Sequence, residues 1–91
     1  MQITFLGTGT SNGIPGIGCN CPACTSLDPR DKRTRSSVVV DAGDKRLLID
    51  TSPELRLQAV ANGITHVDAV LYTHAHADHV AGFDDLRSFN F

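Results

Sequence analysis

The sequence predicts an α/β layered domain. Three observations carry that expectation: short β-branched or aliphatic runs alternate with helical segments, a hairpin signal joins two of the runs, and no internal repeat or low-complexity tract is present. With 91 residues there is room for one modest core and no second domain. A composition of 41% hydrophobic and 20% charged residues excludes a disordered or fibrous chain. The net charge of −2 supplies no overall basic field, so polyanion binding by bulk electrostatics is not indicated. No apolar run approaches the roughly 20 residues of a membrane helix. The opening Met1-Gln2-Ile3-Thr4-Phe5-Leu6 lacks the basic-then-apolar pattern of an export signal, so a cytoplasmic location without membrane contact is expected.

Residues 2–6 read as an opening strand, with Ile3 and Phe5 set against Thr4. Five glycines and Pro15 between Gly7 and Gly18 form a long loop suited to turns and close backbone approach. Residues 25–35 are polar and charged, with Pro29 breaking any helix, and read as a solvated loop. Ser36 to Asp41 and Arg46 to Asp50 are two strands of an antiparallel pair, turned at Gly43. Ser52-Pro53-Glu54 is a helix start, with a hydroxyl cap, proline at the first helical position and an acid favoured by the dipole. That helix is expected to run to Asn62 and stop at Gly63. Asp68 to Thr73 is a further strand, and a last helix is expected from His79 or Val80 to Ser88. Arg87-Ser88-Phe89-Asn90-Phe91 leave two aromatics with no following element to bury them, which points to a domain continued elsewhere.

Thr73-His74-Ala75-His76-Ala77-Asp78-His79 places three of the four histidines and one carboxylate at a strand-to-helix turn. Imidazole and carboxylate suit zinc and manganese, and alternate residues of an extended segment project to one side, so His74 and His76 can share one ion. Asp78 and His79 then point to a different quarter and can hold a second ion, about 3.5 to 4 Å from the first in two-metal sites. The alternative, histidines gathered by chance in a solvated loop, fits poorly with this spacing. His66 stands alone and reads as a surface residue.

Gly18-Cys19-Asn20-Cys21-Pro22-Ala23-Cys24 is a C-x-C-x-x-C pattern, in which Cys21 and Cys24 grip one zinc and Cys19 adds a third thiolate. A redox pair or three free thiols are the competing readings. The glycine loop and Pro22 give a tight knuckle rather than the strand-to-helix setting of a redox pair. A fourth ligand is not evident nearby, apart from speculative use of His66 or Asp28, and is expected beyond residue 91.

The motif His74-x-His76-x-Asp78-His79, preceded by Val70-Leu71-Tyr72-Thr73 and by Leu48-Ile49-Asp50, resembles the metallo-β-lactamase superfamily. The resemblance implies the N-terminal half of a four-layer αββα sandwich, with residues 1–91 an incomplete domain. It assigns His74 and His76 to one metal, Asp78 and His79 to the other, and to Asp50 the role of supporting the metal loop through hydrogen bonds. Ile3-Thr4-Phe5-Leu6-Gly7-Thr8-Gly9-Thr10-Ser11 resembles the branch that holds phosphodiesterases and tRNA three-prime processing endonucleases. The cysteine knuckle is similar to the subgroup of cyclic-phosphate phosphodiesterases associated with carbon-phosphorus lyase, and to the pyrroloquinoline-quinone biosynthesis relatives, whose histidine motif is degraded.

What the resemblance implies is a phosphodiesterase using a metal-bridged hydroxide in the complete domain, with two zinc or manganese ions at the histidines and one structural zinc at the cysteines. Asp78 would also steer or accept a proton. The expected partners are a small phosphodiester and a second copy in a homodimer, with nucleic acid not favoured. The downstream ligands of the family do not occur in this sequence, so a non-catalytic zinc-binding fragment stays open beside the hydrolase. Arg87 reads as the partner of Asp84 in a surface ion pair at i, i+3 rather than as a phosphate ligand.

Overall fold

The computed structural model describes residues 1–89. Four strands, β1 (Gln2–Gly7), β2 (Ser37–Ala42), β3 (Lys45–Ile49) and β4 (Ala69–Leu71), form one sheet in the order β1-β2-β3-β4. The first two pairings are antiparallel and the last is parallel. A parallel neighbour requires a crossover, and α2 (Leu55–Asn62) supplies it. Two one-turn helices, α1 (Pro22–Thr25) and α3 (Ala77–Val80), and 3-10 turns at Pro29–Asp31 and Phe83–Ser88 complete the elements. None of these helices is long and apolar enough to cross a membrane.

The β2–β3 hairpin closes on a two-residue turn between Ala42 and Lys45, where Gly43 takes a φ of +62° that a side chain would resist. The turn fixes the register, and the register sorts the side chains into two apolar faces. On one face Leu6, Val39 and Leu48 are buried with Leu55 and Val67, and Ile64, Val70, Leu86 and Phe89 pack against them. On the other, Ile3 lies opposite Val40, which lies opposite Leu47 and then Ala69; Phe5 leads in the same way to Val38, Ile49 and Leu71. This second row is uncovered, with Ile3 55%, Phe5 67% and Leu71 51% exposed. A sheet that is apolar on both faces is built to lie between two layers, as in the inner sheets of an αββα sandwich.

Four expectations need correction. The helix after β3 starts at Leu55 and not at Pro53, because the first turn closes on an i to i+3 bond, Leu55 N–H to Ser52 O at 3.1 Å; Ser52 Oγ accepts from the Glu54 N–H at 3.2 Å as a cap would, and donates to Gln58 Oε1 at 2.8 Å. Ser52 thus closes a turn ahead of the helix, and Glu54 at the N-cap makes no capping bond. The stop at Gly63 holds, with φ +66° and the Ile64 N–H returning to Ala59 O at 2.9 Å.

The last helix is two pieces, α3 and the 3-10 turn of Phe83–Ser88, separated at Ala81-Gly82. Gly82 is pressed so closely on Ser52 that an added Cβ would overlap the Ser52 carbonyl oxygen. Its N–H bonds Thr51 O at 3.0 Å, so the chain leaves the helical path to pair with the segment after β3.

The 25–35 segment is likewise no free loop. Pro29 opens a 3-10 turn capped by Asp28, whose carboxylate accepts from the Arg30 N–H at 2.9 Å. Arg33 and Thr34 then pair with the glycine loop, Gly9 N–H reaching Thr34 O at 2.7 Å and Ile14 N–H reaching Arg33 O at 2.8 Å. The expected strand at 68–73 is shortened to Ala69–Leu71, since Asp68 turns to bond the Arg46 N–H through its carboxylate at 2.7 Å. Arg87 and Asp84 form the expected exposed pair at 3.5 Å. Asn90 and Phe91, two of the terminal residues expected to lack a covering element, lie outside the described residues.

Candidate metal centre

The site begins where β3 ends. Asp50 has a φ of +65°, a left-handed conformation that aspartate tolerates better than most side chains. Its N–H bonds Leu71 O at 2.8 Å, and its own carbonyl accepts from Ser37 Oγ at 2.9 Å, so both ends of the residue are tied into the sheet. The carboxylate, in a residue only 4% exposed, turns inward under the loop that follows β4. Oδ1 accepts from the Thr73 N–H at 2.8 Å. Oδ2 accepts from Thr73 Oγ1 at 2.7 Å and from His79 Nδ1 at 2.7 Å. Burial works against ionisation and is the largest single influence. The Thr73 N–H, the His79 ring and the Thr73 hydroxyl together outweigh it and hold the Asp50 carboxyl below its ordinary range.

An ionised carboxylate only accepts, and this decides the protons around it. His79 therefore donates from Nδ1, and in the neutral ring Nε2, on the outer side, is the nitrogen left to ligate. That Nε2 lies 3.1 Å from Asp78 Oδ2, a spacing suited to two donor atoms converging on one cation. His76 is the N-cap of α3, and the first turn folds His79 back so that its N–H bonds His76 O at 2.9 Å.

The His74 ring centroid is 4.0 Å from that of His79 and 4.5 Å from that of His76, so the three imidazoles adjoin one another with His74 in the middle. His74 and His76 are exposed, whereas Asp78 and His79 are half-buried.

Behind the loop, the buried Thr51 bonds His79 O through its N–H at 2.8 Å and shares a hydrogen bond with the Tyr72 hydroxyl at 3.1 Å. The buried Gln58 joins Ser52 to the Arg35 carbonyl, its Nε2 reaching that oxygen at 2.8 Å. The sequence marks Ser52 only as a helix cap and Gly82 only as a small residue near the metal loop; Thr51 and Thr73 adjoin Asp50 and His74, and Gln58 carries no local signal.

The cysteines assemble at the far end of the glycine loop. The thiol sulfurs of Cys19, Cys21 and Cys24 all lie within 4.8 Å of one another. Among the described residues they are the group of three or more such donors gathered this closely. The Cys24 and Cys19 neighbours bring the Cys21 thiol down to about 7, the backbone N–H of Cys24 acting most strongly. Cys24 moves the other way: the Gly16 N–H, its largest influence, lies 3.4 Å from the sulfur and favours thiolate, but the Cys19 and Cys21 sulfurs push it up. The short helix α1 begins at Pro22 and turns Cys24 back toward Cys21. Asp28 pairs with Arg30, with Oδ2 2.7 Å from Nη2, and does not join the three sulfurs.

A strand-end carboxylate beneath a His-x-His-x-Asp-His turn defines a class of metal-binding hydrolase folds, and the comparison with known families agrees. The chain belongs to the metallo-β-lactamase superfamily, whose profile matches residues 30–89. An octanoyltransferase of Porphyromonas gingivalis is 56% identical over 90 residues, covering 97% of this chain but 18% of that protein. A solved structure described as a new diphosphatase from the PhnP family superposes with a TM-score of 0.92 at 53% identity, covering 98% of this chain and 35% of that one. Zinc-bound PqqB from Methylobacterium extorquens superposes with a TM-score of 0.82 at 35% identity, covering 96% of this chain and 36% of that one. The chain thus spans between about a fifth and about a third of the length of these proteins.

Proposed function

We propose that this chain is the N-terminal part of a metal-dependent hydrolase that cleaves a phosphorus–oxygen bond in a small phosphodiester or diphosphate. The carrying observation is the Asp50 carboxylate, buried and ionised, holding His79 so that Nε2 faces Asp78 Oδ2 at 3.1 Å. A buried carboxylate that accepts from three donors in the loop is a device for orienting metal ligands. The similarity to a PhnP-family diphosphatase supports phosphorus–oxygen chemistry.

His74 and His76 would hold one divalent ion, and Asp78 and His79 a second, zinc or manganese in either case. Bound there, the two ions supply a polarised water and neutralise charge on the phosphate oxygens. The chain's own residues supply orientation and proton handling. Asp50 fixes the ring of His79, and Asp78, half-buried beside the site, would take a proton from the attacking water. Cys19, Cys21 and Cys24 would hold a structural zinc that pins the glycine loop. The remaining ligands come from sequence outside this chain.

The test is hydrolysis by the full-length protein, loaded with manganese or zinc, of bis-aryl phosphodiesters, cyclic nucleotides, a nucleoside diphosphate and a thioester. Cleavage of phosphorus–oxygen substrates is expected, with Asp78→Asn reducing kcat by about two orders of magnitude or more. Thioester cleavage alone would overturn the proposal. A zinc-binding role without catalysis is favoured by the compact thiol cluster, and metal confined to the cysteines with no turnover would establish it.

A further inference from the structure

We infer that Thr73 is a positioning residue that relays the Asp50 carboxylate to His74, so that one buried carboxylate sets the ring tautomer of a ligand at each of the two proposed metal positions. This rests on the proposed metal-dependent reading of the histidine loop and extends it to a residue that reading does not need.

The argument follows the protons. Thr73 Oγ1 lies 2.7 Å from Asp50 Oδ2 and 2.9 Å from His74 Nδ1. A hydroxyl has one proton to give. Asp50 Oδ2 is also the acceptor for His79 Nδ1 at 2.7 Å, and a carboxylate has nothing to donate. The Thr73 proton therefore goes to Asp50, and the hydroxyl oxygen is left as an acceptor toward His74. His74 then donates from Nδ1, and in the neutral ring Nε2 is the nitrogen left to ligate.

The same carboxylate oxygen fixes His79 directly and His74 through one hydroxyl. In both rings Nε2 is the nitrogen left to ligate. The His74 ring is exposed and hydrogen-bonded to Thr73 at Nδ1, so it depends on this bond more than the half-buried His79 does. The Thr73 N–H to Asp50 Oδ1 bond is donated by the backbone and is available to both Thr73→Val and Thr73→Ser, which separates the hydroxyl's role from the loop's attachment.

Thr73→Val keeps the branched shape and removes the hydroxyl, and Thr73→Ser keeps the hydroxyl. Two measurements on the full-length protein decide the matter. The first is histidine ring 15N spectroscopy of the metal-free protein at a pH where the rings are neutral. Wild type and Thr73→Ser are expected to show His74 protonated on Nδ1, and Thr73→Val a mixture dominated by the Nε2-protonated form that free imidazole side chains prefer.

The second is stepwise zinc affinity against a chromophoric chelator. Thr73→Val is expected to weaken one of the two loop affinities by about 10- to 100-fold. The other loop affinity and the cysteine site should stay within about threefold of wild type, and Thr73→Ser should restore the first. A His74 tautomer unchanged in Thr73→Val, or equal weakening of both loop affinities, would overturn the relay. If wild type binds no metal at the loop, the metal-dependent reading falls, and the ring spectra still decide the relay.

Discussion

Asp50→Asn exchanges one carboxylate oxygen for an amide nitrogen while keeping the side-chain shape and the residue type most tolerant, after glycine, of the φ of +65° at this position. The wild-type carboxylate accepts three hydrogen bonds, from the Thr73 N–H, the Thr73 hydroxyl and His79 Nδ1. An amide has one oxygen, and the Thr73 N–H cannot reverse, so the oxygen must face it and the NH2 must face the other two. The Thr73 hydroxyl and His79 Nδ1 can then be accommodated only by turning into acceptors, which moves the His79 hydrogen to Nε2. Bonds to a charged acceptor contribute about 1.5–3 kcal/mol and bonds between neutral groups about 0.5–1.5 kcal/mol, a difference near 1 kcal/mol for each of three. A loss of about 3 kcal/mol in the metal-free protein follows.

Metal binding suffers separately, because the reversed network protonates the nitrogen proposed to ligate. Urea denaturation after chelation reads the first effect and zinc competition the second. Asp50 also gives wild type an acid limb. Its folded pKa is lowered, so its contribution is complete above the unfolded value of about 4 and is lost as pH falls through the folded value. The gap between wild type and Asp50→Asn should therefore close on acidification. A stability loss under 1 kcal/mol at neutral pH together with unaltered zinc affinity would refute the reasoning.

Gly82→Ala drives a methyl into the Ser52 carbonyl and strains the Gly82 N–H to Thr51 O bond of 3.0 Å; a loss of about 2–4 kcal/mol is expected by chemical denaturation, against no more than ~1 for Gly43→Asn, whose surroundings are open. Cys24→Ser should remove one zinc per chain by metal analysis while leaving the metal content of the histidine loop as in wild type. Arg35→Gln leaves the Glu54 carboxylate, one oxygen of which is already buried without a partner, facing no cation; about 1–3 kcal/mol of destabilisation is expected, whereas Arg30→Ala, at an exposed pair, should change the melting temperature by under ~2 °C.

The sequence by itself determined the strand runs, the hairpin at Gly43, the helix stop at Gly63 and the identity of the candidate ligands. These are read from periodicity, turn chemistry and donor type, all of which are local. It misplaced the start of α2, where the first turn closes on Ser52 O, and ran α3 into the following turn, because Gly82 obeys a contact with a segment some thirty residues away rather than its own neighbours. The supporting role of Asp50 was legible from its place beside the motif. That its carboxylate reaches His79 directly, and His74 only through the Thr73 hydroxyl, was decided by tertiary structure alone, because a hydrogen-bond chain needs distances between β3 and the loop after β4 that no local pattern encodes.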